Sequence, residues 1–350
     1  MSSMRSRNSV AAFCCWLALT IAAMTDSVAA EFVTFAGYGG AYQRDIVKAL
    51  MQPATDAAGA RLALASHNGL PTVRVQVQSG APAWDIVQLG AEECEAGARE
   101  GLFEPLDYSV IDTRGLPRNA YSDYWIAPND YTVFMAWRRD RFGDDPPRDW
   151  ADFWNVEKFP GARSLALHPS EMMEIALLAD GVEPGQLYPL DVPRAVAAME
   201  RIAPHIDVWW SSGAQSSHLL RNGDVDLIAI WGSRLAPLFA DSDEIGYTFD
   251  QAQENFTCLA ILKGSPRKAL AQQVIARAVS PRVQANIFEH LPYYGPSNAL
   301  ALQEGAVLEN AFAAANAKPE NRRRKIMMDP RFWGRNMLTL TPRYLAIIAR

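Results

Sequence analysis

The sequence predicts an α/β protein, and three observations carry that prediction. Continuous apolar runs of strand length recur along the chain, and amphipathic helical patterns with recognisable ends lie between them. The composition is globular, with 350 residues, 49% hydrophobic and 21% charged, enough for about two domains with cores of their own. Apolar runs that do not alternate with polar residues suggest strands covered on both faces. Strand and helix in turn point to mainly parallel sheets.

The first thirty residues read as a targeting segment. Arg5 and Arg7 precede an apolar stretch from Val10 to Ala23, and Ser27-Val28-Ala29-Ala30 supplies small residues where a signal peptidase cuts, which predicts cleavage after Ala30. The stretch is shorter than the roughly 20 residues a membrane helix needs, and no later segment is long and apolar enough to span. A soluble, exported mature chain is therefore expected. Its loss of two Arg and one Asp moves the net charge from −6 to −7. Cys14 and Cys15 leave with the segment. Cys94 and Cys258 remain, far apart and with no cysteine framework around them, which weighs against a disulfide.

The mature chain opens with the strand Phe32 to Phe35. Trp84 to Leu89 follows as the next, and Tyr131 to Trp137 (YTVFMAW) can carry the chain into a second domain, with Asp144-Asp145-Pro146-Pro147 as the strongest turn cluster. Ser164 to Leu167 is a strand. Asp191 can cap a helix with Pro193 in its first turn, Val192, Ala195, Val196, Met199 and Ile202 on one face, and Pro204 as its stop. Val225 to Trp231 (VDLIAIW) and Cys258 to Leu262 (CLAIL) complete the strands, and CLAIL can carry the chain back. Ser265 and Pro266 open a further helix, which Ser280 and Pro281 restart.

Charge and motifs exclude several functions. A negative net charge gives no footprint for phosphate backbones, and the short basic run Arg322 to Lys325 suits a solvated helix face. Five histidines lack HExxH or His-x-His spacing and no Cys-x-x-Cys occurs, so no metal is expected. Gly37-Tyr38-Gly39-Gly40 fits neither nucleotide-binding fingerprint. Ser265-Pro266-Arg267-Lys268 matches Ser-x-x-Lys without its partner motifs, and helix capping explains the serine better. The chain is expected to be no enzyme and to need no cofactor.

Aromatic residues are richer than catalytic groups. In Trp209-Trp210-Ser211-Ser212-Gly213 two indoles stand before a helix start where Ser211 or Ser212 can cap. That suits a ligand with an apolar stem and a polar or anionic end, or equally a hydrophobic staple.

Several motifs occur in one order: Gly37-Tyr38-Gly39-Gly40-Ala41-Tyr42-Gln43, Trp84-Asp85-Ile86-Val87, Trp150-Ala151-Asp152-Phe153-Trp154, Asn222-Gly223-Asp224-Val225-Asp226, Gly295-Pro296-Ser297-Asn298 and Met328-Asp329-Pro330-Arg331-Phe332-Trp333. With the export signal they resemble the extracellular solute-binding proteins of ABC importers, in the spermidine/putrescine-binding branch. The resemblance covers essentially the whole mature chain. It implies the two-lobed periplasmic-binding-protein fold of type II, with two crossing hinge strands (YTVFMAW and CLAIL) and a ligand in the cleft. The first lobe would be 31–133 plus 258–294, the second 134–257 plus 295–350. It further implies a periplasmic monomer that closes on a small amine and hands it to a membrane permease.

Carried over by motif, the ligand-binding residues are Tyr38 and Glu92 from the first lobe and His168, Glu171, Trp210, Ser211 and Trp231 from the second, with Thr257 at the second hinge strand. Aromatic rings would sandwich a methylene chain and carboxylates would hold ammonium ends. This chain has Thr257 where polyamine binders place an aspartate and His168 where they place another acid. A polyamine such as putrescine or spermidine therefore competes with a mono-amine or a zwitterion such as γ-aminobutyrate, its carboxylate held by Arg234 or the Ser211 helix end. A ligand sensor for a chemoreceptor or sensor kinase is an alternative of the same fold. An exported hydrolase is the alternative of another class, and no nucleophile, base and orienter set supports it.

Overall fold

The computed structural model describes residues 31–241, 243–304 and 309–349, so the targeting segment and its cleavage site lie outside the described residues. Among the described residues there are eleven strands: β1 (Phe32–Gly37), β2 (Arg61–Ser66), β3 (Ile86–Gly90), β4 (Trp125–Ile126), β5 (Asn129–Arg138), β6 (Arg163–Ala166), β7 (Val208–Trp210), β8 (Leu227–Trp231), β9 (Ile245–Ile261), β10 (Gly295–Pro296) and β11 (Ile326–Met327). The main path runs β2-β1-β3-β9-β5-β8-β6-β7.

Two parallel βαβ-type halves are joined back to back. β1 pairs in parallel with β2 and β3, and β6 pairs in parallel with β7 and β8. The strands between them are antiparallel, which makes the sheet mixed rather than mainly parallel. Residues 257–261 of β9 pair with β3, whereas residues 245–256 pair with β5. One long strand thus serves both halves and changes partner between Phe256 and Thr257.

The other crossing falls earlier than the sequence suggests. β4 still pairs with the first-lobe end of β9. From Asp130 on, the paired residues of β5 face β8 or residues 245–256 of β9, so the expected division at 133/134 falls inside β5 and the partner change lies between β4 and β5. A third passage follows β10, which pairs with Asn129 and Asp130. Ser297 donates to the Ala127 carbonyl, and Gln284 accepts from the Asn298 amide, so 297 and 298 lie against first-lobe residues rather than with the second lobe.

Each half has its own core. One apolar cluster fills the second half around Phe134, Trp150, Leu165, Ile175, Trp210, Ile228 and Trp333. Two clusters cover the faces of the first-half sheet, one around Phe35, Leu50, Ile86 and Val274, the other around Trp84, Leu89, Phe103 and Trp125. Alternate residues of a strand point to opposite faces, so continuous apolar runs are what two-sided covering requires.

Several local expectations meet their physical reasons here. Asp191 accepts from the Arg194 amide and caps the helix Val192–Ile202, and Ser280 caps Pro281–Gln284. Ser265 does not cap: its hydroxyl donates to buried Asp85, and the helix Lys268–Ala278 begins later. Cys94 and Cys258 form a disulfide, against the sequence expectation. β3 ends at Gly90 opposite Thr257, and the helix Ala91–Arg99 turns back over β9, so both cysteines arrive at one fully buried point with Cα atoms 6.5 Å apart. Among the described residues no helix is long and apolar enough to cross a membrane.

Candidate functional site

The crossing strands make a polar floor between the halves. Directly opposite residues of an antiparallel pair share a face, and so do alternate residues along a strand. Tyr131 stands opposite Asn255, which puts Gln253, Asn255 and Thr257 on one face with Asn129 and Tyr131. Thr257 donates to the Asn129 side-chain oxygen at 2.8 Å, and Gln88 of β3 donates to Thr257 at 3.3 Å and to the Tyr42 hydroxyl at 3.1 Å.

This floor is incompletely satisfied. Both polar atoms of the Asn255 carboxamide, the side-chain oxygen of Gln88 and that of Gln253 are buried without a hydrogen-bond partner. A buried polar atom without a partner costs about 1–3 kcal/mol, so such a concentration on one face marks where a solute or solvent supplies the missing bonds.

The second-lobe wall is built on the start of the helix Pro169–Ala179. Glu171 sits in its first turn and is 3% exposed. The Trp231 indole donates to both its oxygens, at 3.0 and 3.1 Å, and the Tyr131 hydroxyl donates to one at 3.3 Å. Burial raises the Glu171 carboxyl above its ordinary range, against the opposing pull of His168 and these donors. The ring centroid of His168 lies 5.4 Å from that of Trp231 and 5.7 Å from that of Trp210, and its buried Nε2 is unpartnered. Trp210 packs edge-on to Trp231 at 4.8 Å. Its indole donates to the Ala229 carbonyl and is fully buried, so it supports the wall from behind.

The first-lobe wall carries Tyr38, 42% exposed, whose ring lies 4.8 Å from His67 and whose hydroxyl donates to Glu93 at 3.2 Å. Tyr42 packs on Tyr294 at 5.1 Å. Glu92 occupies the first turn of the helix Ala91–Arg99 with one buried, unpartnered oxygen. Burial, and Glu93 beside it, push its carboxyl up to about 8. Glu171 and Glu174 add to this from the opposite wall.

A half-buried cation stands beside these walls. The Nε of Arg234 is buried without a partner. It lies against the start of the helix Gly213–Asn222, 2.4 Å from where a Cβ on Gly213 would stand, so glycine is what admits it. Ser212, not Ser211, caps this helix by accepting from the Gln215 amide, while the Ser211 amide donates to the Gln215 side chain. Ser211 is exposed at the rim. Arg234 and the positive helix end together form an anion-attracting corner.

The sequence-derived residues thus fall into two groups. His168, Glu171, Trp210 and Trp231 form one contiguous wall; Tyr38, Glu92 and Thr257 line the facing side and floor, and exposed Ser211 belongs to neither. Gln88, Asn129, Tyr131, Gln253, Asn255, Tyr42 and Tyr294 were not anticipated as site residues. Among the described residues no group of three or more His, Cys, Asp or Glu is arranged to hold a metal ion.

Two α/β halves joined by crossing strands, with unsatisfied polar atoms and both acidic and basic groups between them, are the architecture of a two-lobed solute-binding protein. The chain belongs to the bacterial extracellular solute-binding proteins, whose family model matches residues 62–317. It is 33% identical over 343 residues, 95% of each chain, to the gamma-aminobutyric acid-binding protein of Pseudomonas aeruginosa. An ABC transporter substrate-binding protein from Bradyrhizobium japonicum superposes with a TM-score of 0.84 at 36% identity, covering 91% of this chain and 99% of that one. The PBP MotA of Agrobacterium tumefaciens B6, solved in complex with glucopine, superposes at 0.79 with 30% identity, covering 90% and 99%. The fold is the two-lobed type II fold, and the protein binds solute rather than performing chemistry.

Proposed function

We propose that this chain, as the substrate-binding component of an ABC transporter, captures a zwitterionic ω-amino acid of the γ-aminobutyrate type in the periplasm and delivers it to the permease. The observation that carries this reading is a pair of carboxyls at one place of the cleft and a guanidinium at another. Glu171, held by Trp231 and Tyr131, and Glu92 across from it face the site as acids, while half-buried Arg234 offers a guanidinium whose Nε is buried without a partner at a helix start. An ammonium suits the first place, where Trp231 and His168 add aromatic faces, and a carboxylate suits the second.

A polyamine fits less well. A second ammonium end would meet Arg234 or the neutral Thr257–Asn129–Gln88 floor instead of a carboxylate. The gamma-aminobutyric acid-binding relative supports the zwitterion. In this reading the lobes divide where β9 changes partner, and they close on the ligand as a monomer.

A thermal-shift series on the mature protein with γ-aminobutyrate, putrescine, spermidine and glucopine tests this. At about 100 times its Kd a ligand adds about 2.7 kcal/mol. The reading predicts a raised midpoint with γ-aminobutyrate and none with putrescine; the reverse pattern refutes it.

A further inference from the structure

The crossing segments of the chain meet at one buried acid pair. Asp130, second residue of β5, pairs with Phe256 of β9 on one side and Gly295 of β10 on the other, and is 3% exposed. A Cβ on Gly295 would stand 2.5 Å from both Asp130 oxygens, so only glycine leaves room for this carboxyl. Glu254 is 5% exposed and lies opposite Thr132. That register sets Asp130 and Glu254 diagonally on one face, a separation that two carboxyl side chains can span.

The charged groups facing this pair come from the C-terminal segment. Lys325 Nζ is 3.8 Å from Glu254 and also bonds Thr132 and Asn316, while Arg322 is 3.9 Å from Glu254. Both cations favour Glu254. Asp130 Oδ1 is buried and receives no hydrogen bond among the described residues. Two carboxyl oxygens approach closely only with a proton between them, and the oxygen farther from the cations is the one to carry it. Burial and the charge of Glu254 accordingly hold Asp130 well above the ordinary carboxylate range. Glu254, though burial pushes it up, is drawn below its own by Lys325, Asp130 and Arg322.

We propose that Asp130 and Glu254 share one proton at neutral pH, and that this proton fastens the crossing strands β5 and β9 to each other where the lobes hinge. The native chain then holds a proton that the unfolded chain gives up above about pH 4, so the fastening is present at low and neutral pH and is lost as alkaline pH removes the proton. The proposal does not depend on which solute is bound.

Infrared difference spectroscopy of the ligand-free protein tests the proton. Wild type minus Asp130→Asn at neutral pH should show the C=O stretch of a protonated carboxyl, and a difference spectrum without it overturns the proposal. Amide hydrogen exchange tests the fastening, since an asparagine amide donates to Glu254 at every pH. From pH 6 to pH 9, protection of 129–133 and 253–257 in wild type should fall relative to Asp130→Asn by about tenfold or more. Parallel pH profiles overturn the fastening. Should Asp130→Asn not fold, Glu254→Gln serves instead: it replaces the carboxylate that accepts the Asp130 proton and should shift the band, and a band at the wild-type position overturns the sharing.

Discussion

Trp231 donates its single indole N–H to both oxygens of Glu171, at 3.0 and 3.1 Å, and so fixes an acid and an aromatic face as one unit. Trp231→Ala should weaken binding by more than about 1 kcal/mol, the usual scale for an aromatic contact at a binding site. Trp231→Phe separates the two contributions. It keeps a ring but leaves one bond to Glu171 unmade, at a cost of about 1–3 kcal/mol. Calorimetric titration of folded variants measures both, and unchanged affinity in Trp231→Ala would remove the indole from the site.

Arg234 is the cation this account assigns to the ligand carboxylate. Arg234→Gln should cost about 2–5 kcal/mol in γ-aminobutyrate affinity, as expected when one partner of a buried charge pair is removed. Residual binding of an amine without a carboxylate should not weaken. Equal losses for both ligand types would mean that the arginine supports the fold instead.

The site acids give binding a pH dependence of definite sign. Glu92 is pushed up to about 8, first by burial and then by Glu93. The ligand-free native protein therefore holds a proton that the unfolded chain releases above about 4.3, and its stability declines as pH rises through that interval toward about 8. A ligand ammonium favours the ionised carboxylate, so binding expels the proton. Affinity should increase between about pH 6 and 8, by up to tenfold per unit, then level off. Glu92→Gln should flatten this rise in calorimetric titrations, and an unaltered slope would assign the proton elsewhere.

The disulfide ties the acid-bearing helix to the hinge strand, since Cys94 lies two residues after Glu92 and Cys258 follows Thr257. Exported protein should show no free thiol on denaturation. The double variant C94A/C258A should lose about 2–4 kcal/mol of stability. Reactive thiols in the denatured, unreduced protein would contradict the bond.

Much of the fold was legible because buried strands announce themselves as apolar runs, as in Ile86–Leu89 and Leu227–Trp231. β2 was missed because it is an edge strand, half exposed along its length. The first part of β9 was missed for its polarity. Tyr247 to Thr257 carries Asp250, Gln251, Gln253, Glu254 and Asn255, a polar run that reads as a loop, yet Asp250 and Gln251 bond Arg324 and Trp150 while Gln253 and Asn255 face the crossing floor. The same run hid the floor of the site. The order of motifs singles out Glu171, Trp231 and Tyr38 as candidates, whereas Gln88 and Asn255 are ordinary amides until the register places them on one face. The disulfide depends on a helix turning back over a strand far along the chain, which spacing alone does not reveal.

The proposed function requires one cleft to recognise both ends of a zwitterion. Titration of the wild-type protein with γ-aminobutyrate, butyrate and butylamine tests it directly, because the last two each keep one end. The account predicts that γ-aminobutyrate binds at least about 100-fold tighter than either, since each lost charged contact costs about 2–5 kcal/mol. Butylamine binding as tightly as γ-aminobutyrate would show that the carboxylate is not recognised and would contradict the account.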